Sequence, residues 1–249
     1  MKRFARHIIA VLCVAVCSLD AVAVDYTSEV LNYEVVYHWG VIWKHAADAS
    51  LSIRKTSSGY YSQLTGKTRS WADKVYPTRD TLKCTMNAKM QPLKYEKLTH
   101  EKNYYARDVV NFSYNSTHTS AKCVRYREGQ DPVHVSLSAG CQAYDMVSVF
   151  YMLRGLNYDQ LSPNKPITTI IFSGKRKEQL TIRFKGKENV KMRDGSKHEA
   201  YHITFKFTQE GGKKSSNDID AYMSTDARRI PLLLVGHLPV GAVKCYYKN

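Results

Sequence analysis

In Leu180-Thr181-Ile182-Arg183-Phe184-Lys185 every second side chain is apolar and those between are polar or charged. A repeat of two is the signature of an extended strand with one buried and one wet face. The same alternation returns along most of the chain. Leu31, Tyr33, Val35 and Tyr37 share one face, as do Leu51 and Ile53, and as do Leu93, Tyr95, Lys97 and Thr99. Turn signals separate the runs at Ser173-Gly174, Asp194-Gly195 and Gly211-Gly212. Twelve or so short strands at this spacing predict an all-β, mainly antiparallel fold, strongly curved or barrel-like. No Pro, Gly or Ser linker divides the chain, so residues 24–249 are expected to form a single domain.

Two segments depart from alternation. Thr68 to Tyr76 has weak helical spacing and stops before Pro77. A short helix is the stronger expectation over Tyr144 to Arg154. There Asp145 is placed to cap the start, Arg154 suits the last turn, and Gly155 is placed to supply a left-handed C′ residue. Its side chains are apolar nearly all round, so the helix must be covered on most sides. Its expected place is against the concave face of the sheet. Core packing is the plain role for Met146, Val149, Phe150, Met152 and Leu153; in a hollow barrel the same residues would line a pocket for an apolar ligand.

The N-terminus reads as a secretory signal peptide. Lys2, Arg3 and Arg6 precede an apolar run from Ile8 to Cys17, and Ala21-Val22-Ala23 supplies small residues for cleavage after residue 23. That run is too short to span a bilayer as a helix. The expected location is the periplasm or cell envelope of a Gram-negative bacterium. Taking Lys2, Arg3, Arg6 and Asp20 from the totals of 37 basic and 22 acidic residues leaves a net charge of about +13. For an exported protein this excess points away from nucleic acid and towards lipid headgroups, lipopolysaccharide or acidic glycans. Any membrane association is expected to be peripheral. Cys84, Cys123, Cys141 and Cys245 remain after cleavage; they allow two disulfides in three connectivities, or buried thiols.

Two short motifs mimic catalytic signatures. Gly66-Lys67-Thr68 matches the end of a phosphate-binding loop, but the glycine required five residues earlier is Tyr61. His198-Glu199-Ala200-Tyr201-His202 spells the zinc-protease pattern H-E-x-x-H. On a helix its histidines would lie one turn apart and share a metal. On a strand they lie about 13 Å apart. Tyr201, Ile203, Phe205 and Phe207 alternate with His202, Thr204 and Lys206, which predicts a strand and no metal. Asp80, Asp145 and Asp226 are isolated near turns, and His100, His118 and His134 carry no local signature of a cysteine or serine nucleophile. No catalytic residue, metal or cofactor is expected. A basic stripe at Lys175, Arg176, Lys177, Arg183 and Lys185 is a candidate contact for an anionic surface, or a solvated hairpin face.

Five segments in order carry a resemblance to a known family: "LNYEVVYHWGVIWKHAADASLSI", "YPTRDTLKC", "YDMVSVFYMLRGLNYDQL", "IIFSGKRKEQLTIRFKGKENVKM" and "MSTDARRIPLLLVGHLPVGAVKC". Together they resemble the exported bacterial proteins grouped as domain of unknown function 3108, in the form found in Bacteroides-like bacteria. Ala47 departs from the pattern, which expects glycine there. The resemblance implies an exported, β-rich envelope protein and brings no catalytic residue or cofactor. The functional expectation is a non-enzymatic envelope protein holding an apolar or lipid-like ligand in a curved β scaffold. The alternative is an acidic-glycan or cell-wall interaction module using a basic, tyrosine-rich surface. A hydrolase ranks third.

Overall fold

A computed structural model describes residues 24, 26–209 and 216–248. The signal-peptide segment and the Gly211-Gly212 turn lie outside the described residues. The first flank holds β1 (Ser28–Trp39), β2 (Ile42–Thr56), β3 (Gly59–Thr68) and β4 (Arg79–Asn87), followed by β5 (Pro92–Glu101), β6 (Tyr104–Tyr114), β7 (Thr119–Arg127) and β8 (Gln130–Ala139). The second holds β9 (Ala143–Tyr144), β10 (Ile167–Ser173), β11 (Arg176–Lys191) and β12 (Lys197–Gln209), then β13 (Ile219–Ser224), β14 (Pro231–His237) and β15 (Ala242–Lys248). Among the described residues these fifteen strands form one sheet in the order β8-β7-β6-β5-β4-β3-β2-β1-β15-β14-β13-β12-β11-β10-β9. All neighbours are antiparallel except β9 with β10. The chain therefore walks outward from β1 to one edge, crosses over, and walks back to β1 through β15.

The sheet coils into a nearly closed barrel. Its flanks meet where the β10–β11 turn reaches β6: a Cβ added to Gly174 would lie 2.5 Å from Asp108 Oδ2. Asp108 in turn takes the guanidinium of Arg127 at 2.8 Å.

Between β9 and β10 the chain forms α2 (Ser148–Arg154), shorter than the expected helix because Ala143 and Tyr144 pair with β10. Asp145 does close the N-terminal end. Its Oδ1 accepts the backbone N–H groups of Val147 at 2.7 Å and Ser148 at 2.9 Å. The C-terminal expectation is corrected: Gly155 stays right-handed at φ −81°. The earlier helix, α1, is one turn, Ser70–Asp73. Thr68 is still in β3, and its amide bonds the Thr78 carbonyl, which holds the chain extended until Arg69.

Tyr201, Ile203 and Phe205 are buried with Val149 and Leu153 of α2 in one cluster. Leu31, Tyr33, Met86, Tyr95 and Phe172 form a second cluster with Val147 and Tyr151. The helix thus joins two halves of the interior, and each of its fully buried apolar side chains stabilises by about 1.5–3 kcal/mol. Bulges shift the alternation locally. Pro92 and Tyr95 are buried while Leu93 is exposed, because the β4–β5 register slips there and Leu93 faces no partner.

Cys84 and Cys123 are buried thiols rather than disulfide partners. Burial first, and the nearby Asp145 charge second, push the Cys84 thiol well above its ordinary pKa.

Candidate functional site

An interior pocket would be lined by the side chains of α2 and of Met146 just before it. Val149 and Leu153 are buried, while Met146, Phe150 and Met152 are half-buried and packed against the core clusters. Two open cavities, of about 270 and 600 Å³, are lined by none of these five. The larger one lies on the opposite face of the sheet.

That outer groove is created by a bulge. Phe184 pairs with Ile203 and Gly186 with His202, which leaves Lys185 as the extra residue. Past this point the β11–β12 hairpin curls back over the outer face of β1, β15 and β14. Val190, Met192 and Ala200 of the hairpin pack with Val36, Leu233, Val235, Ala242 and Tyr246 in a third cluster. The curl is pinned at its tip. Arg193 Nε lies 3.3 Å from Glu34 Oε1, and the guanidinium stands 6.0 Å from the Trp43 ring centre. The result is an open groove of about 600 Å³. Its floor is Val190, Leu233, Val235 and Ala242, flanked by Tyr222 and Tyr246; Glu188, Asp220, His237 and Lys244 form its polar rim.

The rim holds a continuous acid–imidazole chain across four strands. Glu188 Oε1 lies 2.6 Å from His202 Nδ1, and His202 Nε2 lies 2.7 Å from Asp220 Oδ1. The second oxygen, Asp220 Oδ2, lies 2.6 Å from His237 Nε2. Strand pairing sets this arrangement, because His202 is opposite Gly186 in β11 and Tyr222 in β13. The His202 ring also stacks on Tyr222, with centres 4.5 Å apart. Burial alone would raise the Asp220 carboxyl; the hydrogen bonds from His237 and His202 overcome it and hold the group below the usual carboxylate range.

The H-E-x-x-H spelling is thus divided by the strand. His202 links two carboxylates of the rim, Glu188 and Asp220. His198 is exposed, and its Nε2 lies 3.1 Å from the Ser196 hydroxyl. Glu199 is exposed opposite Asn189. Among the described residues no group of three or more His, Cys, Asp or Glu side chains has the geometry to hold a metal ion. Gly66-Lys67-Thr68 lies in β3, with Gly66 paired to Ala49 on one side and Asp80 on the other. A strand hydrogen-bonded on both sides offers no loop to wrap a phosphate.

The isolated carboxylates have structural partners. Asp80 accepts the His100 amide at 3.0 Å, and Asp226 accepts the Ser224 hydroxyl at 2.7 Å. The basic stripe is not one surface. Lys175 sits in the turn; Arg176 has the parity of inward-facing Leu180 and Ile182, whereas Lys177 and Arg183 have the opposite parity, about 20 Å apart along β11. Lys185 is the bulged residue. The groove itself escaped the sequence reading. Its one local trace is the run Phe184-Lys185-Gly186-Lys187, where alternation breaks at a glycine.

Comparison with known proteins sets this geometry in context. The family model described as "Protein of unknown function (DUF3108)" matches residues 32–248. No curated protein matches. A crystal structure of a β-barrel-like protein of domain of unknown function DUF1849 from Brucella abortus is similar, with a TM-score of 0.59 at 12% identity, covering 91% of this chain and 98% of that one. At that identity the likeness speaks to the fold alone, and it agrees with the coiled sheet. The match over nearly all the described strands makes this chain a member of the DUF3108 family.

Proposed function

We propose that this protein is a non-enzymatic binding protein of the bacterial cell envelope that holds an amphipathic, lipid-like ligand. The observation that carries the reading is the outer groove, with an apolar floor at Val190, Leu233, Val235 and Ala242 and polar groups at its borders, Asp220 and Lys244 standing on opposite sides of Val235. Such a layout suits a ligand with an apolar body and a polar head. The basic, apolar and small-residue segments of residues 2–23 support export as part of this reading. The imidazole chain supports binding over catalysis: both nitrogens of His202 are tied to carboxylates, which makes the ring a fixed strut.

The test is to purify the protein from the periplasm of a Gram-negative host and examine it by native mass spectrometry and solvent extraction. A photoreactive fatty acid then maps the site. Co-purified lipid and cross-links within residues 188–192 and 233–246 are expected. An empty protein with no saturable cross-linking would overturn the reading.

A further inference from the structure

The β1–β2 turn and the β14–β15 turn lie side by side at one end of the barrel. Val243 pairs with Tyr37 and Ala242 with His38, and the Tyr37 hydroxyl donates to the Val240 carbonyl at 3.1 Å. The approach is close enough to demand glycine: at Gly241, φ +79°, an added Cβ would stand 2.3 Å from the His38 carbonyl oxygen. The joined tips carry six exposed apolar side chains. Trp39 is 53% exposed, Val41 96%, Ile42 46%, Trp43 40%, Leu238 44% and Val240 54%. These side chains contribute little to the core, and a grouped apolar patch of this kind marks an interaction site.

Charge identifies the partner. Residues 35–47 contain no Asp or Glu, and neither do residues 231–249. The cations beside the tips are Lys44, which is exposed, and Lys244, 4.5 Å from the Trp43 ring centre; Arg193, near the same ring, is already paired with Glu34. Tryptophan favours the boundary between acyl chains and headgroups, and lysine and arginine beside it favour anionic headgroups. We propose that this end of the barrel docks on an anionic lipid bilayer, with Trp39, Val41 and Ile42 entering the headgroup region. The docking is peripheral and stands whether or not the outer groove carries a ligand. It also places the groove beside the bilayer, since His38, Gly40 and Gly241 line both the groove mouth and the tips.

The experiment uses the chain from Val24 onward, which includes every described strand, and vesicles of phosphatidylcholine with or without phosphatidylglycerol. Sedimentation with the phosphatidylglycerol vesicles is expected, with a blue shift in tryptophan emission and weaker binding at high salt. Val41→Asp alters a side chain that is almost wholly exposed, so folding is retained; it should lower vesicle affinity about tenfold or more. Trp39→Ser should act in the same direction. Val133→Ser, at another exposed valine on β8, should leave binding unchanged. Absence of binding to phosphatidylglycerol vesicles, or equal binding by the Val41→Asp protein, would overturn the proposal and leave another class of partner for these tips.

Discussion

Arg154 at the end of α2 is fully buried and grips Glu29 of β1 with two hydrogen bonds, Nη1 to Oε2 at 2.5 Å and Nη2 to Oε1 at 3.1 Å. Its Nε and Nη2 also donate to the Arg228 carbonyl. One guanidinium therefore ties the helix to the first strand and to the segment leading into β14. Removing the carboxylate would strand a buried charge. Glu29→Ala is expected to destabilise the protein by about 3–5 kcal/mol, read from urea unfolding at neutral pH. An unchanged midpoint would mean that water, not Glu29, satisfies Arg154.

Asp145 combines a useful acceptor with an unfavourable charge. Its carboxylate receives the amides of Val147 and Ser148 and the Ser148 hydroxyl, and Cys84 Sγ lies 2.9 Å away. Complete burial raises its pKa, and these hydrogen bonds only partly offset that. Asp145→Ala should cost about 2 kcal/mol, because the Val147 and Ser148 amides lose their acceptor. Asp145→Asn keeps that acceptor. A raised folded pKa gives stability that is full below the unfolded value and declines as pH rises. Wild type should therefore lose stability relative to Asp145→Asn above about pH 4. Parallel pH–stability curves for the two proteins would refute this.

For Asp220 the sign is opposite. Its folded pKa is depressed, so its stabilising contribution is present above the unfolded value of about 4 and disappears as pH falls through the folded one. Chemical unfolding of wild type and Asp220→Asn across pH should show a gap at neutral pH that closes in acid. A gap that widens on acidification would contradict the assigned hydrogen bonds.

The two histidines of His198-Glu199-Ala200-Tyr201-His202 should behave differently. His198→Ala is expected to change stability by less than about 0.5 kcal/mol, as for an ordinary surface site. His202→Ala removes the link between Glu188 and Asp220 and the stack on Tyr222, and should cost about 1–2 kcal/mol. Differential scanning calorimetry distinguishes them. Equal effects would contradict the linking role of His202, and a zinc-dependent rise in Tm lost in both variants would show a shared metal.

Local alternation was enough to assign the strand class, and it placed Tyr201, Ile203 and Phe205 on the buried face. Cross-strand packing rewards that period wherever one face is covered. Where alternation broke down, all-round apolar side chains and capping signals located the helix that ends at Arg154 and the aspartate that closes its start. What alternation could not show was anything that depends on a change of register or on distant strands meeting. Leu93 reads as an inward residue, yet the β4–β5 bulge turns it outward. Lys185 reads as part of a cationic stripe, yet it is the bulged residue that lets the hairpin curl and form the groove. The fold also brings Trp39 and Val240 to one end of the barrel, although about 200 residues separate them in the chain. A period of two describes each strand against its own neighbours, so the sequence alone determined the strands and their faces. Which strands lie side by side, and therefore which exposed side chains add up to a surface, was decided only by closure of the sheet.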